Sequence, residues 1–282
     1  MAKKSRNQRK KTAVIKPAGP TQAELADRHT LYENSVQDSE TEIDFVDETF
    51  EAIRGRKMSL LREDFSGTSS VCCEWVKRRP DNLAIGVDLD EEVLQWGRDH
   101  NLSKLTDEQR SRITLLQEDV LTVETDAPDC VLAMNFSYWY FKERSLQISY
   151  FKRIFDSLND EGVFFLDAFG GYEAFQEMEE STEYDDFVYT WDQSEYNPIT
   201  GDYVCHIHFE FPDGSKMKNA FTYEWRLWTM PEIREMLLEA GFKKVTTYWE
   251  GEDEDGDGDG NYEPTDQGEA DAGWVCYISA EK

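Results

Sequence analysis

The sequence has no run of about 18 consecutive apolar residues, the length that a membrane-spanning helix needs. The basic residues near its start are not followed by an apolar stretch, so the pattern of a secretory signal is missing. The five cysteines show no CxxC spacing, which disfavours the common thiol-based metal and redox motifs. We therefore expect a cytoplasmic protein with reduced thiols and no membrane partner.

Basic charge is scarce beyond the first residues of the chain. The formal net charge is −29, yet residues 1–17 contain seven Lys or Arg and no acid, so the remainder carries about −36. Such an acidic body repels phosphate backbones, which disfavours nucleic acid as a substrate. Residues 1–27 are predicted to form a disordered basic tail. The alternative is that this tail contacts RNA or an acidic partner.

Strand and helix patterns alternate along the body of the chain. Apolar segments near residues 58–61, 82–89, 112–119, 129–136 and 161–169 are separated by segments with helical periodicity. Strands that alternate with helices predict a parallel sheet with helices on both faces. Two closing strands, "KKVTTYWE" and "GWVCYISAE", bring the predicted sheet to seven strands.

One domain over residues 28–282 accommodates these elements. Residues 28–55 read as an N-terminal helical cover, in which apolar residues recur at three- and four-residue steps. Two-residue alternation and turn signals predict an antiparallel insertion over about 172–228, before the last helix. Residues 251–273 read as an acidic loop. The predicted fold class is α/β, a Rossmann-like sheet with an antiparallel β insertion.

The stretch Leu60–Trp75, "LLREDFSGTSSVCCEW", reads as a strand, a short loop and a helix, the layout of a nucleotide-binding loop. Its one glycine, Gly67, allows the backbone to approach a ligand closely. Asp88 ends the next strand 21 residues later, where an acid commonly holds ribose hydroxyls. A packing glycine and a strand-ending aspartate are the alternative. A dinucleotide is disfavoured because GxGxxG is absent, whereas Glu63 and Asp64 suit a ligand with a cationic amine.

These segments resemble the class I S-adenosylmethionine-dependent methyltransferases. The similarity rests on "REDFSGTSS", "GVDLD", "LLQEDVL" and "MNFSYWYF", and it extends from about Arg28 to the C-terminus. Within that class the layout is most similar to small-molecule N-methyltransferases of the glycine or sarcosine type. The resemblance implies S-adenosyl-L-methionine as the cofactor and S-adenosyl-L-homocysteine as the product.

The resemblance also implies roles for individual residues. Either Glu63 or Asp64 holds the methionine ammonium group, and the sequence leaves that choice open. The other implied cofactor-binding positions follow the cofactor from the loop to the acceptor: Gly67 lining it, Asp88 at the ribose, Leu89, Asp119 and Val120 around the adenine, and Asn135 at the mouth.

Three residues are expected to position the methyl acceptor: Asn135, Tyr138 and Tyr32. Tyr138 begins an aromatic segment, residues 138–141, whose rings can attract a cation. The alternative, for Trp139 and Phe141, is that they pack under a helix. Tyr32 closes over the methionine end, or else packs as an ordinary helix residue. Arg226 pairs with a substrate carboxylate, or else serves as a structural partner for acids.

Two patterns resemble metal sites without a complete ligand set, and no metal is expected. In "CHIHFEF", alternation places His206, His208 and Glu210 on one strand face, which a polar face of an antiparallel sheet also explains. In "DEDGDGDGNYEPTD", the EF-hand spacing fits only loosely, through Asp255, Asp257, Asp259, Gly260 and Asp266, and a solvated acidic loop is favoured.

The sequence thus predicts a methyltransferase that transfers a methyl group from S-adenosylmethionine to a small-molecule acceptor, at an amine nitrogen. Its partner is the acceptor itself. The alternatives are a non-catalytic S-adenosylmethionine-binding or regulatory protein, and a protein or RNA methyltransferase that docks through the basic tail.

Overall fold

The computed structural model describes residues 19–252 and 258–282. In chain order the strands are β1 (Leu60–Asp64), β2 (Leu83–Asp88), β3 (Ile113–Gln117), β4 (Cys130–Ala133), β5 (Val163–Gly170), β6 (Met178–Glu183), β7 (Val188–Tyr196), β8 (Asp202–Glu210), β9 (Lys216–Arg226), β10 (Lys244–Glu252), β11 (Gly258–Thr265) and β12 (Trp274–Glu281). The helices are α1 (Gln22–Leu25), α2 (Arg28–Ser35), α3 (Ser39–Arg54), α4 (Ser70–Arg78), α5 (Glu91–His100), α6 (Asp107–Arg110), α7 (Arg144–Ser157) and α8 (Met230–Ala240).

The main sheet has the strand order β11-β10-β12-β5-β4-β1-β2-β3. Strands β1 to β5 pair in parallel, whereas β12 runs antiparallel to β5, and both β10 and β11 pair antiparallel to their neighbours. The chain leaves β1 toward β2 and β3 on one side and reaches β4 and β5 on the other. The strand order therefore reverses between β1 and β4, and ligands bind at such a point, outside the carboxyl ends of the strands.

Helices cover both faces of this sheet because its central strands are apolar on both sides. Every residue of β4 is buried, and so are Val163 to Ala168 of β5. One face packs against α7 and α8, and the other against α3 and α4. The core residues that these four helices contribute include Phe151, Ile154, Met236, Leu237, Val46, Phe50, Trp75 and Val76.

A second sheet of four antiparallel strands, in the order β6-β7-β8-β9, forms the insertion. Its inner face buries Cys205, Ile207 and Phe209, and the intervening residues face outward as the alternation predicts. Helix α2 packs on this sheet through Leu31, which belongs to the same apolar cluster as Ile207. This packing places α2 between the insertion and the main sheet.

The predicted α/β Rossmann-like fold class is confirmed, with one strand more than expected. The additional strand, β11, lies within residues 251–273, which the sequence assigned to a loop. It forms because its backbone pairs with the edge strand β10, although its Gly, Asp and Pro content disfavours a strand. Residues 253–257 lie outside the described residues, and Asp255 and Asp257 of the EF-hand-like pattern are among them.

Most of the predicted tail, 1–27, also lies outside the described residues. The remainder differs from a disordered segment, because Thr21 caps the short helix α1 and the Gln22 N–H donates to Asp213 at 2.9 Å. The described helices include none that is long and apolar enough to cross a membrane.

Candidate cofactor and acceptor site

The loop between β1 and α4 turns sharply at the crevice beside β4. Phe65, Gly67 and Ser69 all adopt left-handed backbone angles, with φ of 58°, 50° and 59°. Such angles are uncommon for residues other than glycine and indicate a tightly constrained turn. Helix α4 starts at Ser70 without a side-chain cap, and the Cys72 backbone N–H in its first turn contacts the Glu63 carboxylate.

Gly67 and Asp88, which the sequence paired by spacing, are in direct contact. The Gly67 N–H donates to Asp88 Oδ2 at 2.8 Å, and the Asp90 N–H donates to Oδ1 at 2.9 Å. Burial raises the pKa of Asp88, and these backbone hydrogen bonds oppose the shift. The loop glycine therefore fixes the aspartate at the carboxyl end of β2.

Asp64 is part of an internal ion pair. Both of its carboxylate oxygens accept from the Arg62 guanidinium, at 2.7 and 2.9 Å, and Tyr150 donates its hydroxyl at 3.0 Å. The Arg62 and Asp64 side chains are completely buried. Although Asp64 lies at the wall of a cavity, its oxygens are already engaged by residues of the core.

Glu63 is buried without such a partner. Its carboxylate accepts from Cys72 Sγ at 3.1 Å, and no ion pair with a basic side chain forms within the described parts of the chain. Burial raises the pKa of Glu63 to about 8, and the negative charges of Asp88 and Asp64 add to the shift. A buried carboxylate without a counter-ion is costly, so a cation placed at this position would stabilise the ionised form of Glu63.

Glu63 lines the smaller of two neighbouring cavities. The smaller, of about 130 Å³, is lined by Glu63, Phe65 and Thr68 among others. The larger, of about 580 Å³, lies between the main sheet and the insertion. Both are lined by Tyr32, Asn135 and Tyr223, so these three residues form the junction. The structure thus brings the predicted residues Tyr32 and Asn135 together where the two cavities meet.

Asp167, which the sequence did not single out, holds the junction loop. Asn135 and Phe136 both have left-handed backbone angles, and their N–H groups donate to the Asp167 carboxylate at 2.7 and 2.9 Å. Burial raises the pKa of Asp167 to about 7, against these hydrogen bonds. The side chain sits on β5, and the aspartate in "FFLDAF" interrupts a buried strand, which is a signal in the sequence.

Glu42 is a second buried acid that the sequence did not reveal as a site residue. One carboxylate oxygen, Oε2, is buried without a hydrogen-bond partner. Burial raises its pKa well above the ordinary value, Asp167 and Glu63 add to the shift, and the Asn135 side chain opposes it. Glu42, Val46 and Phe50 follow one another at intervals of four residues, so they lie on the same face of α3, and that face is buried.

The N-terminal cover is tied to the loop by hydrogen bonds. Thr68 donates its hydroxyl to Glu33 Oε1 at 2.6 Å, and Asn101 donates to the same oxygen at 2.6 Å. Ser39 and Ser70 share a further hydrogen bond of 2.7 Å. Helix α2, whose His29 and Tyr32 line the smaller cavity, therefore closes one side of it.

The positions expected around the adenine lie at the carboxyl ends of β2 and β3. Leu89 is 64% exposed beside Asp88, and Val120 is buried. Asp119 accepts the Leu121 N–H at 2.9 Å, so part of its carboxylate already caps a turn. These three residues flank the edge of the crevice on the side of β2 away from β4.

The aromatic segment 138–141 mostly packs in the core, which is the alternative that the sequence left open for Trp139 and Phe141 and differs from the prediction for Tyr138. Tyr138 is completely buried and its hydroxyl donates to the Asp167 carbonyl at 2.6 Å. Trp139 and Phe141 are buried as well, while Tyr140 faces outward. None of the four lines either cavity. The Tyr138 ring packs under α7 and reaches neither cavity. The structure therefore gives no geometric support for a role of Tyr138 in positioning the acceptor.

The remaining candidates also have structural partners. Arg226 stacks over Trp228, 3.7 Å from the ring centroid, and pairs with Glu232 at 3.2 Å. On the outer face of β8, His208 contacts Asp192, His206 contacts Thr222 and Glu210 pairs with Lys216. Asp259 and Gly260 belong to β11, and Asp266 lies 3.7 Å from Arg234. Over the described residues, no three acidic, histidine or cysteine side chains are placed to hold a metal.

Helix α5 approaches the loop so closely that only glycine fits. A Cβ built at Gly97 would overlap the Thr68 carbonyl, at 2.9 Å from its carbon atom. We expect Gly97→Ala to lower the free energy of unfolding by about 1–3 kcal/mol, the usual cost of overpacking, although alanine favours helices. Urea unfolding measures the change, with Gln95→Ala on the exposed side of the helix as control. Stabilisation by Gly97→Ala would contradict the close contact.

Comparisons with known proteins place the fold. No family model and no curated protein sequence matches the chain. A solved S-adenosylmethionine-dependent methyltransferase from Clostridium acetobutylicum matches with a TM-score of 0.66 and 15% identity, over 90% of this chain and 96% of its own. The sugar N-methyltransferase KedS8 from Streptoalloteichus sp. matches with a TM-score of 0.60 and 17% identity, over 100% and 98%.

An amino pentose methyltransferase from Micromonospora echinaspora, solved with S-adenosylmethionine bound, also matches. Its TM-score is 0.64 at 13% identity, over 90% of this chain and 96% of its own. At such identities the similarity concerns the fold. The chain therefore has the α/β fold of the S-adenosylmethionine-dependent methyltransferases. Within that fold, the matched solved structures include enzymes that methylate the nitrogen of sugars and glycopeptides.

Proposed function

We propose that this protein is an S-adenosylmethionine-dependent methyltransferase that acts on an amine nitrogen of a small molecule. The observation that carries the proposal is Glu63, a buried carboxylate with no cationic partner among the described residues. It lines the smaller cavity at the strand-order reversal of a methyltransferase fold, and this cavity shares Tyr32, Asn135 and Tyr223 with the larger one. The positive charges of the cofactor suit this position.

The residues of the crevice fit the cofactor in order. Glu63 would hold the methionine ammonium, because Asp64 is already paired with Arg62. The Gly67 backbone would line the cofactor, Asp88 would take the ribose hydroxyls, and Leu89, Asp119 and Val120 would enclose the adenine. When bound, the cofactor supplies a methyl group that its sulfonium activates. The protein then has to align the acceptor and exclude water.

Tyr32 and Asn135 stand where that alignment is needed, since both line the two cavities. The Tyr32 ring packs against Phe221 at 5.0 Å between centroids, which fixes its orientation. Asn135 is held by Asp167 through its backbone N–H, and its side-chain amide lies beside the buried Glu42 carboxyl where the two cavities share their wall. We assign both residues to acceptor positioning.

The ribose assignment gives a direct test. Asp88→Asn should weaken S-adenosylmethionine binding by about tenfold, because an amide replaces a charged acceptor of hydrogen bonds. Isothermal titration calorimetry measures the affinity, and Asp90→Asn, which retains Asp88, is the matched control. An unchanged affinity in Asp88→Asn would remove Asp88 from the site. Cofactor binding without release of S-adenosylhomocysteine for any amine would instead favour a regulatory binding protein.

A further inference from the structure

The larger cavity is strongly anionic. Its wall includes three glutamates, Glu173, Glu180 and Glu250, and no Lys, Arg or His among the described residues. The three come from different segments: a turn after β5, strand β6 and strand β10. Charges that converge from separate segments onto one cavity create a negative potential that concentrates cations there.

Aromatic rings line the same cavity, and one of them, Trp191, is paired with Glu180 across β6 and β7. Tyr223 and Trp225 stack at 4.4 Å between centroids, and Trp191 lies 5.9 and 6.1 Å from them. Phe169 contacts Trp191 at 6.4 Å and extends the wall. Aromatic faces attract organic cations, and the attraction grows when water is excluded.

An acidic acceptor would find no basic side chain on the described wall of this cavity. The nearest arginine on the insertion, Arg226, is stacked on Trp228 and paired with Glu232, outside the cavity wall. A carboxylate in the cavity would therefore lose water without gaining a counter-ion, and it would be repelled by the glutamates. The cavity therefore differs from a site for glycine or sarcosine, which would have to bind a carboxylate.

The volume also exceeds what a small amino acid needs. A cavity of about 580 Å³ falls within the range that accommodates drug-sized ligands, roughly 300–1,000 Å³. With its aromatic rings, the site suits an amine attached to a larger organic body.

From this charge and shape we propose that the acceptor is an organic amine that carries no carboxylate or phosphate, held by the glutamates and by the tryptophan and tyrosine rings. This inference rests on the proposed function and specifies its substrate class. The acceptor amine binds as a cation in the anionic cavity and reacts at the junction after losing its proton to solvent. Nitrogen then gains the methyl group as the carbon–sulfur bond of the sulfonium breaks.

A matched pair of probes tests the charge preference. Phenethylamine and phenylalanine share an aromatic body and an amine, and only phenylalanine has a carboxylate. With the full chain loaded with S-adenosylhomocysteine, we expect phenethylamine to bind at least tenfold more tightly, by calorimetry at low salt. Equal or tighter binding of phenylalanine would overturn the inference, and so would absence of phenethylamine binding at tens of millimolar.

Matched variants locate the effect. Glu173→Gln with Glu180→Gln should weaken phenethylamine binding about tenfold or more and narrow its advantage over phenylalanine. The control is Glu177→Gln with Glu179→Gln, which removes the same charge from exposed positions of the same segment that do not line the cavity. Equal effects of both double variants would assign the preference to overall charge and contradict the inference. Failure of S-adenosylhomocysteine itself to bind would instead refute the proposed function.

Discussion

Glu63→Gln is expected to weaken S-adenosylmethionine binding about 10- to 100-fold while it stabilises the cofactor-free protein. A hydrogen bond between charged groups contributes roughly 1.5–3 kcal/mol, which corresponds to that loss of affinity. Without ligand the same carboxyl group lowers the stability of the folded protein, because burial disfavours its charged form and raises its pKa to about 8. Glutamine has nearly the same volume and no charge to desolvate, so we expect a gain of about 1–3 kcal/mol in the free energy of unfolding.

Asp64→Asn provides the contrasting variant one residue away. It leaves the buried Arg62 guanidinium without its counter-ion, and breaking a buried pair costs about 3–5 kcal/mol. Cofactor affinity of the protein that remains folded should change little. Calorimetric titration and urea unfolding of both variants give the two quantities. If Asp64→Asn abolished binding while Glu63→Gln left it intact, the assignment of the two acids would be reversed.

The Glu63 and Asp64 choice shows what the sequence contained and what it did not. Alternation places Arg62 and Asp64 on one face of β1 and Glu63 on the other, so a pairing of opposite charges was readable. The sequence did not show that Arg62 and Asp64 are buried, because an arginine next to apolar residues can also mark the end of a strand. The spacing argument, by contrast, paired Gly67 with Asp88, and the two are in contact because the carboxyl ends of β1 and β2 share an edge.

The acceptor side was less accessible from sequence. The turn after β4 is shaped by Asp167, which lies 32 residues beyond Asn135 and reaches it only in the folded chain. That hydrogen bonding directs Phe136 to the cavity and Tyr138 to the core, whereas the sequence placed Tyr138 beside the acceptor. The glutamates of the cavity come from three separate segments, so no local pattern could reveal their convergence.

A pH series is expected to show that the cofactor-free protein loses stability as the pH rises from about 5 to 8. Glu63 and Asp167 have pKa values raised from 4.5 to about 8 and from 3.8 to about 7. The folded state therefore keeps protons that the unfolded state releases, and stability declines from the unfolded pKa values up to the folded ones. Each group contributes at most about 1.4 kcal/mol per pH unit.

Urea unfolding at pH 5, 6, 7 and 8 measures this decline, and Glu63→Gln isolates the part due to one carboxyl group. The difference in free energy of unfolding between the variant and the parent protein should grow by a few kcal/mol from pH 5 to pH 8. A difference that stays constant over this interval would mean that Glu63 ionises normally.

Cofactor binding should lower the raised pKa of Glu63 again. A bound ammonium next to Glu63 favours the carboxylate, so its pKa falls and the proton that it holds at pH 7 is released. Because a group with a pKa near 8 is roughly nine-tenths protonated at pH 7, close to one proton should leave per cofactor bound. Calorimetry in buffers of different ionisation enthalpy counts these protons, and Glu63→Gln should abolish most of the release. Proton uptake on binding, or release that persists in Glu63→Gln, would show that another group receives the cofactor's charge.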